Sequence, residues 1–415
     1  MDLTEPATAS AALAAETDRY RQKRDEIVAA AARQIAERGL KGLTLVGVAR
    51  MVGLNTNSVT YYFRRKDLLA EAAVEDALAR FGDILEARPG EEAPRALLRA
   101  VVARSFRQAA AIRRDEVAPL TILSDLRALE EPARSRLIAA YFAQVARLAR
   151  RLDEGEGAAA KARAVARAQL LCDVLHWSRT WLRLYSLADF PRVEARLLSL
   201  LEEGIALPGS RWAPSPLSVP ETEAPAGTGT SAATYLRVAT RMINERGYRG
   251  ASVERIAGQL QLSKGSFYHH LTGKDDLVRA CFDRSFSRVT ATQHAAAALP
   301  GSDWDRLTSA LASLLDLQLS GEAPLLRDTA LLALPEDLRS DAIARSDRLA
   351  RRFAGLLSDG IAEGSLRAVD PAIASQCLMG LVNSAVDMAP RLARWPSRAA
   401  LVEDYAGPLI FGFFR

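Results

Sequence analysis

A chain of 415 residues is longer than one hydrophobic core usually supports, so two or three domains are expected. Hydrophobic residues make up 49% and charged residues 25%, with a net charge of +5 and a pI near 9.2. That balance argues against wholesale disorder and is compatible with a nucleic-acid partner. No apolar run approaches the ~18 residues a membrane span needs. The Ala-rich stretch Met1–Thr17 carries Asp2, Glu5 and Glu16 and does not read as a signal peptide, so a cytoplasmic protein without membrane contact is expected.

Along the chain nearly everything reads as helix. Ala, Leu, Arg and Glu dominate, apolar residues recur at three- and four-residue steps, and no segment alternates as a strand does. The expected fold class is all-α. Arg19, Arg21, Lys23 and Arg24 cluster ahead of the first periodic helix, which ends at Glu37-Arg38-Gly39, where glycine supplies a left-handed stop. Thr44 then stands where an N-cap is wanted, before a short helix carrying Val48 and Ala49. The turn Val52-Gly53-Leu54 leads to a second short helix opening at Asn55, and Arg64, Arg65 and Lys66 follow it. Two short helices joined by such a turn form the helix-turn-helix layout, in which the second helix enters the major groove.

Farther on, Leu170, Val174, Trp177, Trp181 and Leu184 make a stripe at helical spacing, and Val193, Leu197 and Leu201 make another. From Pro208 to Thr230 the chain is rich in Pro and Gly, which predicts an exposed linker. Beyond it the sequence begins again. Residues 33–42 read RQIAERGLKG and residues 241–250 read RMINERGYRG, which puts Gly39 and Gly247 208 residues apart. At that offset, without gaps, Glu37/Glu245, Ala49/Ala257, Leu54/Leu262, Ser58/Ser266, Lys66/Lys274, Asp67/Asp275 and Leu69/Leu277 coincide. Two homologous units follow from this. In the second unit Ser252 takes the place of Thr44, Ser263 that of Asn55, and Leu260-Gln261-Leu262 forms the turn. Its apolar stripes are Ile373, Cys377, Leu381, Ser384 and Met388, then Leu401, Tyr405, Ile410 and Phe411 on the terminal helix. Ala374, Gly380 and Ala385 are small enough for close helix approach.

The stretch Ser263-Lys264-Gly265-Ser266-Phe267-Tyr268-His269-His270-Leu271-Thr272-Gly273-Lys274-Asp275-Asp276-Leu277 resembles the signature of the tetracycline-repressor (TetR) family of regulators. The resemblance covers about residues 20–80 and 231–290 well, and the remainder in helix pattern and length. It implies a small DNA-binding bundle followed by a larger helical domain that binds an effector and dimerises through its last two helices. The expected organisation is therefore a first DNA-binding domain (19–83), a first regulatory domain (84–207), a linker (208–230), a second DNA-binding domain (231–290) and a second regulatory domain (291–415).

By that resemblance Tyr268 and Lys274 meet phosphates, and Lys264, Ser266 and His269 face base edges or backbone. Ser252, Ser263 and Gly265 complete the set, while Phe267 and Leu271 read as core. The first copy departs from the pattern: Asn57 replaces the usual glycine and Thr60 the usual tyrosine. Its expected DNA-contact set is Thr44, Asn55, Thr56, Asn57, Ser58, Thr60, Tyr61 and Lys66, with a base preference of its own. His176, Trp177, Arg179 and Trp181 are candidate effector-pocket groups, although core or interface is the commoner fate of such tryptophans.

His269 and His270 have no third ligand at suitable spacing, so no metal is expected, and no cofactor either. Cys172, Cys281 and Cys377 are too scattered for a disulfide framework. An enzyme finds no support, since Walker, dinucleotide, HExxH and GxSxG patterns are missing. The expected partners are a double-stranded DNA operator and a small-molecule effector. The two units are expected to pair within one chain as a pseudo-dimer, with a further homodimer of chains possible. The alternatives are a helical protein-interaction module, or a chain dimer in which one helix-turn-helix unit no longer binds DNA.

Overall fold

The computed structural model describes residues 5–120, 123–152, 155–219, 231–250, 253–259, 273–322, 324–327 and 336–415. Its helices are α1 (Glu5–Gly42), α2 (Leu45–Met51), α3 (Thr56–Tyr62), α4 (Lys66–Leu85), α5 (Pro94–Arg113), α6 (Leu123–Ala128), α7 (Ala133–Arg151), α8 (Gly157–Trp181) and α9 (Phe190–Glu203). The second copy supplies α10 (Ser231–Gly250), α11 (Val253–Gln259), α12 (Lys274–Ala297), α13 (Asp303–Ser320), α14 (Glu336–Glu363), α15 (Pro371–Ser384) and α16 (Arg398–Ile410). The chain is all-α. Among the described residues the one β feature is an isolated bridge between Ala206 and Leu366.

Helix starts repeat at the offset found in the sequence. Leu45 and Val253, Lys66 and Lys274, and Phe190 and Arg398 open equivalent helices 208 residues apart. The duplication thus runs through the terminal helices, where sequence identity had faded. By compactness the chain divides into two units, Met1–Ile84 with Ala110–Tyr141, and Leu85–Ala109 with Phe142–Arg415. The division falls inside the first repeat, so the last two helices of the first copy belong with the whole of the second.

In the first unit α1 is broken at Gly39, whose φ of 64° and ψ of 173° are open to glycine and strained for other residues. Its basic cluster at Arg19, Arg21, Lys23 and Arg24 lies within the helix rather than ahead of it, because the Ala-rich leader continues the same helix. Ile27, Ala31 and Ile35 on α1 close over Val48, Val59 and Leu69, all essentially inaccessible to solvent. Arg80 holds the chain after α5 by donating to the carbonyls of Ala118 and Pro119 at 2.7 and 3.2 Å.

In the second unit α8 packs along α15 and α16, and α9 packs on the same two helices. Leu170, Cys172, Leu197, Cys377, Leu381 and Tyr405 are fully buried there. Burial raises the Cys377 thiol to about 12 and Cys281 to about 11, leaving both as inert packing groups. Three sequence stripes overrun their helices. Leu184 lies in a 3₁₀ turn beyond α8 and is 58% exposed, Met388 lies beyond α15 among 3₁₀ turns, and Phe411 caps α16 from outside.

At the ends of α9 and α16 the backbone of the two copies crosses. Gly204, with φ 71°, would place a Cβ 2.4 Å from the Ile410 carbonyl oxygen, and Gly412, with φ 95°, would place one 2.4 Å from that of Glu202. Gly204 and Gly412 are 208 residues apart, as are Glu202 and Ile410, so the crossing is reciprocal. The amides of Ile205 and Ala206 both donate to the Ile410 carbonyl at 2.9 Å, and that of Phe413 donates to Leu201 at 2.9 Å.

The described part of the stretch read as a linker, residues 208–219, is tied down as far as Val219. Trp304 Nε1 donates to the Arg211 carbonyl at 3.2 Å, the Ser215 amide to Ser309 Oγ at 2.9 Å, and Arg288 to the Val219 carbonyl at 2.8 Å. No described helix is long and apolar enough to cross a membrane.

Candidate nucleic-acid interface and regulatory helices

The first helix-turn-helix is assembled by caps that the sequence announces. Thr44 is extended and its Oγ1 accepts from the Gly47 amide at 3.0 Å, fixing the start of α2. Gly53, with φ 66°, makes the turn, and the Leu54 amide donates to the Ala49 carbonyl at 2.9 Å. Asn55 then caps α3, its Oδ1 accepting from the Ser58 amide at 2.7 Å and the Ser58 hydroxyl at 3.0 Å.

One clamp could not be read from the local pattern. Gln34, buried on α1, accepts from the Thr44 amide at 2.8 Å, and its side chain lies over Gly47, where a Cβ would meet Nε2 at 2.1 Å. The signal was the pairing of a buried polar residue with a glycine inside a short helix. The second copy has Met242 and Arg255 at these positions.

On α3, Val59 points inward and is fully buried, while Asn57 and Tyr61 are exposed and Thr56, Ser58 and Thr60 half-buried. Tyr61 is 74% exposed and meets Tyr62 edge-on at 5.3 Å, with Tyr20 of α1 lying 4.8 Å from Tyr62. The three rings form a rigid aromatic shelf at the end of α3. Thr60 Oγ1 donates its proton to the Thr56 carbonyl at 2.9 Å, so its hydroxyl proton is already engaged within the helix. Arg24 lies over the ring of buried Phe63 at 5.2 Å, stiffening the same corner. Arg64, Arg65 and Lys66 are exposed at the start of α4, and Asp67 pairs with Arg65 and lies well below the usual carboxylate range because of that bond.

In the second copy Ser252, Ser263, Lys264, Gly265, Ser266, Phe267, Tyr268, His269, His270 and Leu271 lie outside the described residues, and Lys274 is placed as the first residue of α12. Its α10 connects by polar contacts to the segment after α13 and, through it, to the turn after α15. Asn244 donates to the Leu325 carbonyl at 2.9 Å and accepts from the Arg327 amide at 3.1 Å. Arg327 then pairs bidentately with Asp387 at 2.8 and 2.5 Å. The first copy has Ala36, Pro119 and Arg179 at these positions and so cannot form that link.

The four pocket candidates of α8 separate. Arg179 donates to His176 Nδ1 at 2.8 Å, and Trp181 is buried with its ring 6.0 Å from Tyr185. Trp177 turns instead to α15: Nε1 donates to Gln376 Oε1 at 3.3 Å and the ring lies on Gly380. The small residue at 380 permits that approach, as expected. Near it, Asp173 is buried and accepts from Tyr405 Oη at 2.7 Å and Gln169 Nε2 at 2.9 Å. Burial, aided by the Asp387 charge, pushes the Asp173 carboxyl up to about 8. Among the described residues no group of His, Cys, Asp and Glu could hold a metal.

The amino-terminal family of bacterial regulatory proteins, tetR family, matches twice, at residues 27–73 and 236–281, over the two helix-turn-helix bundles. The family described as tetracyclin repressor-like, C-terminal domain, matches residues 300–387. The matched stretches belong to the tetR family. Among its relatives, the HTH-type transcriptional regulator BetI of Burkholderia mallei and that of Burkholderia pseudomallei are each 40% identical over 86 residues, 20% of this chain and 44% of theirs. The transposon Tn10 TetC protein of Escherichia coli is 36% identical over 47 residues, 11% of this chain and 24% of its own. The chain thus spans less than half the length of the curated relatives it matches. Among solved structures it is similar to the TetR-family transcriptional regulator PfmR from Thermus thermophilus, at 22% identity and a TM-score of 0.37. The match covers 44% of this chain and 99% of that one. It is also similar to AibR in complex with isovaleryl coenzyme A and operator DNA, at 20% identity and a TM-score of 0.34, covering 43% of this chain and 96% of that one.

Proposed function

We propose that this chain is a tetR-family, ligand-responsive DNA-binding transcriptional regulator of the cytoplasm, most simply a repressor, whose two heads pair within one polypeptide. The reciprocal backbone crossing at Gly204 and Gly412, with α8 and α9 of one copy on α15 and α16 of the other, carries the pairing. It has the form of an isologous contact, in which residue i meets j and j meets i. Two short helices, with caps that match the turn between them, support DNA reading by the first head. Thr44 and Asn55 set α2 and α3, Asn57, Ser58 and Tyr61 face the groove, and Lys66 meets phosphate. The second head reads with Ser252, Ser263, Lys264, Gly265, Ser266, Tyr268, His269 and Lys274. Because the two recognition stretches share only Ser58/Ser266, the operator has unequal half-sites.

Effector binding is assigned to the regulatory helices, with His176, Arg179 and Trp181 as first-copy pocket groups and Trp177 given to pairing. The Asn244–Arg327–Asp387 link supports transmission from regulatory helices to the second head. The reading needs no catalytic group. Footprinting of the purified protein on DNA upstream of its own gene, with light scattering, tests it. A 45.0 kDa monomer protecting two unequal half-sites is expected. Absence of any sequence-selective protection refutes DNA reading.

A further inference from the structure

The contact between the copies has a pseudo-twofold axis, yet one polar and shape-matching set at its buried centre occurs on one side of that axis only. On α8, Gln169, Asp173 and Trp177 follow at four-residue steps and share a face. Opposite them, Tyr405 of α16 donates to Asp173 at 2.7 Å and Gln376 of α15 accepts from Trp177 at 3.3 Å. The Trp177 ring fills the space over Gly380, where a Cβ would lie 3.0 Å from Cγ and Cδ1. At the 208-residue offset every one of these six positions turns apolar. Gln169, Asp173 and Trp177 correspond to Cys377, Leu381 and Ala385, and Gln376, Gly380 and Tyr405 correspond to Ala168, Cys172 and Leu197. All six counterparts are fully buried.

We propose that this one-sided set makes the contact selective: a first-copy face accepts a second-copy face and neither face pairs with itself. The inference rests on the intrachain pairing proposed above. Joining two first-copy faces sets Asp173 against Leu197 twice, burying two carboxyls without the tyrosine hydroxyl. It also presses Trp177 onto Cys172, which carries the Cβ that Gly380 lacks. Joining two second-copy faces sets Tyr405 against Leu381 twice and leaves Gly380 beneath Ala385, a void where the indole belongs. Each buried polar group left unpaired weakens association by about tenfold or more, so a self-pair with two of them is disfavoured by roughly a hundredfold before misfit adds to it. Specificity built by penalising the wrong partner is what a tandem gene product needs, because self-pairing faces would link chains into open assemblies.

The test uses the full-length protein with a protease site inserted between residues 220 and 230, cut after folding. Cut samples with and without ¹⁵N label are mixed, allowed to exchange halves, and weighed by native mass spectrometry. Wild type is expected to give pairs of one first half and one second half. Asp173→Leu with Trp177→Ala gives the first half the residues of Leu381 and Ala385, and first-half self-pairs are expected to appear. Gly380→Cys with Tyr405→Leu gives the second half the residues of Cys172 and Leu197, and second-half self-pairs are expected. Two variants guard against a single folding failure, which circular dichroism reports. If folded variants of both kinds form mixed pairs alone, the selectivity proposal is overturned while intrachain pairing stands. If wild type itself yields self-pairs, the intrachain reading falls with it.

Discussion

Replacing Gly204 with alanine probes the place where the two copies cross. Gly204 has φ 71° and ψ −165°, a region that side-chain-bearing residues occupy at a cost of about 1–3 kcal/mol. The added methyl would also lie 2.4 Å from the Ile410 carbonyl oxygen and 2.5 Å from the Gly412 amide nitrogen. These are backbone atoms and cannot rotate away. The crossing segments must part by roughly an ångström to reach ordinary contact, which loosens the bonds from Ile205, Ala206 and Phe413, each worth about 1 kcal/mol net. The combined expectation is about 3–5 kcal/mol of destabilisation. Gly209→Ala is the matched control. Its φ is 87°, but nothing lies within 4 Å of the new methyl, so only the conformational cost of about 1–2 kcal/mol remains. Urea unfolding of the intact chain, followed by tryptophan fluorescence and circular dichroism, measures both, and Gly412→Ala should match Gly204→Ala. Equal losses for Gly204→Ala and Gly209→Ala would refute the claim that close backbone crossing, rather than backbone conformation, makes glycine necessary at 204.

Thr44→Ala and Asn55→Ala each remove a helix cap and are expected to cost about 1 kcal/mol of stability, read by thermal unfolding, with Thr44→Ser retaining most of it. Lys66→Ala is expected to weaken DNA binding on all sequences alike and to flatten the slope of log affinity against log salt by roughly 0.9; a changed base preference at unchanged slope would contradict the phosphate assignment. Tyr61→Phe should weaken binding more than Thr60→Val, because the Thr60 proton is already given to the Thr56 carbonyl, and a gel shift with either variant decides the order. Asp173 has its carboxyl raised from 3.8 to about 8, so between those values the folded chain holds a proton that the unfolded chain has lost. Its contribution is present below pH 4 and declines as pH rises through that window, by about 1.4 kcal/mol per pH unit. Asp173→Asn should remove this slope from the difference in stability measured between pH 5 and 8.

How far the sequence speaks depends on how local the determining physics is. Thr44, Gly53 and Asn55 act on residues three or four positions away, so their capping and turning roles are legible in one short stretch. The 208-residue offset was read from the first seventy residues of each copy and recurs at Phe190 and Arg398, although helices between, such as Gly157–Trp181 and Pro371–Ser384, differ in length. Periodicity marked Trp177 and Leu184 as one stripe but carried no signal for where α8 stops, so it grouped a half-buried indole that packs on α15 with a leucine that is 58% exposed. Interactions between distant segments stayed hidden. Gln34 under Gly47, Tyr20 against Tyr62 and Tyr405 on Asp173 each join residues whose proximity only the fold creates.

The repeat itself turns this limit into information. In an isolated tetR-family unit a buried Asp or an indole over a glycine can be compared with nothing, and its purpose is not evident from one sequence. Here positions in one copy can be compared with internal counterparts in the other. Where a pair of counterparts agrees, as Gly204 and Gly412 do, the constraint is imposed by the symmetric crossing and both copies must meet it. Where counterparts disagree, as Asp173 with Leu381 and Trp177 with Ala385 do, the constraint belongs to one side of the contact. A buried polar group retained on only one side lowers stability if its partner is lost, so its persistence points to discrimination between partners rather than to cohesion. The same comparison places the Asn244–Arg327–Asp387 link in the second copy alone. The first copy, with Ala36, Pro119 and Arg179 at these positions, lacks the side chains that such a link needs.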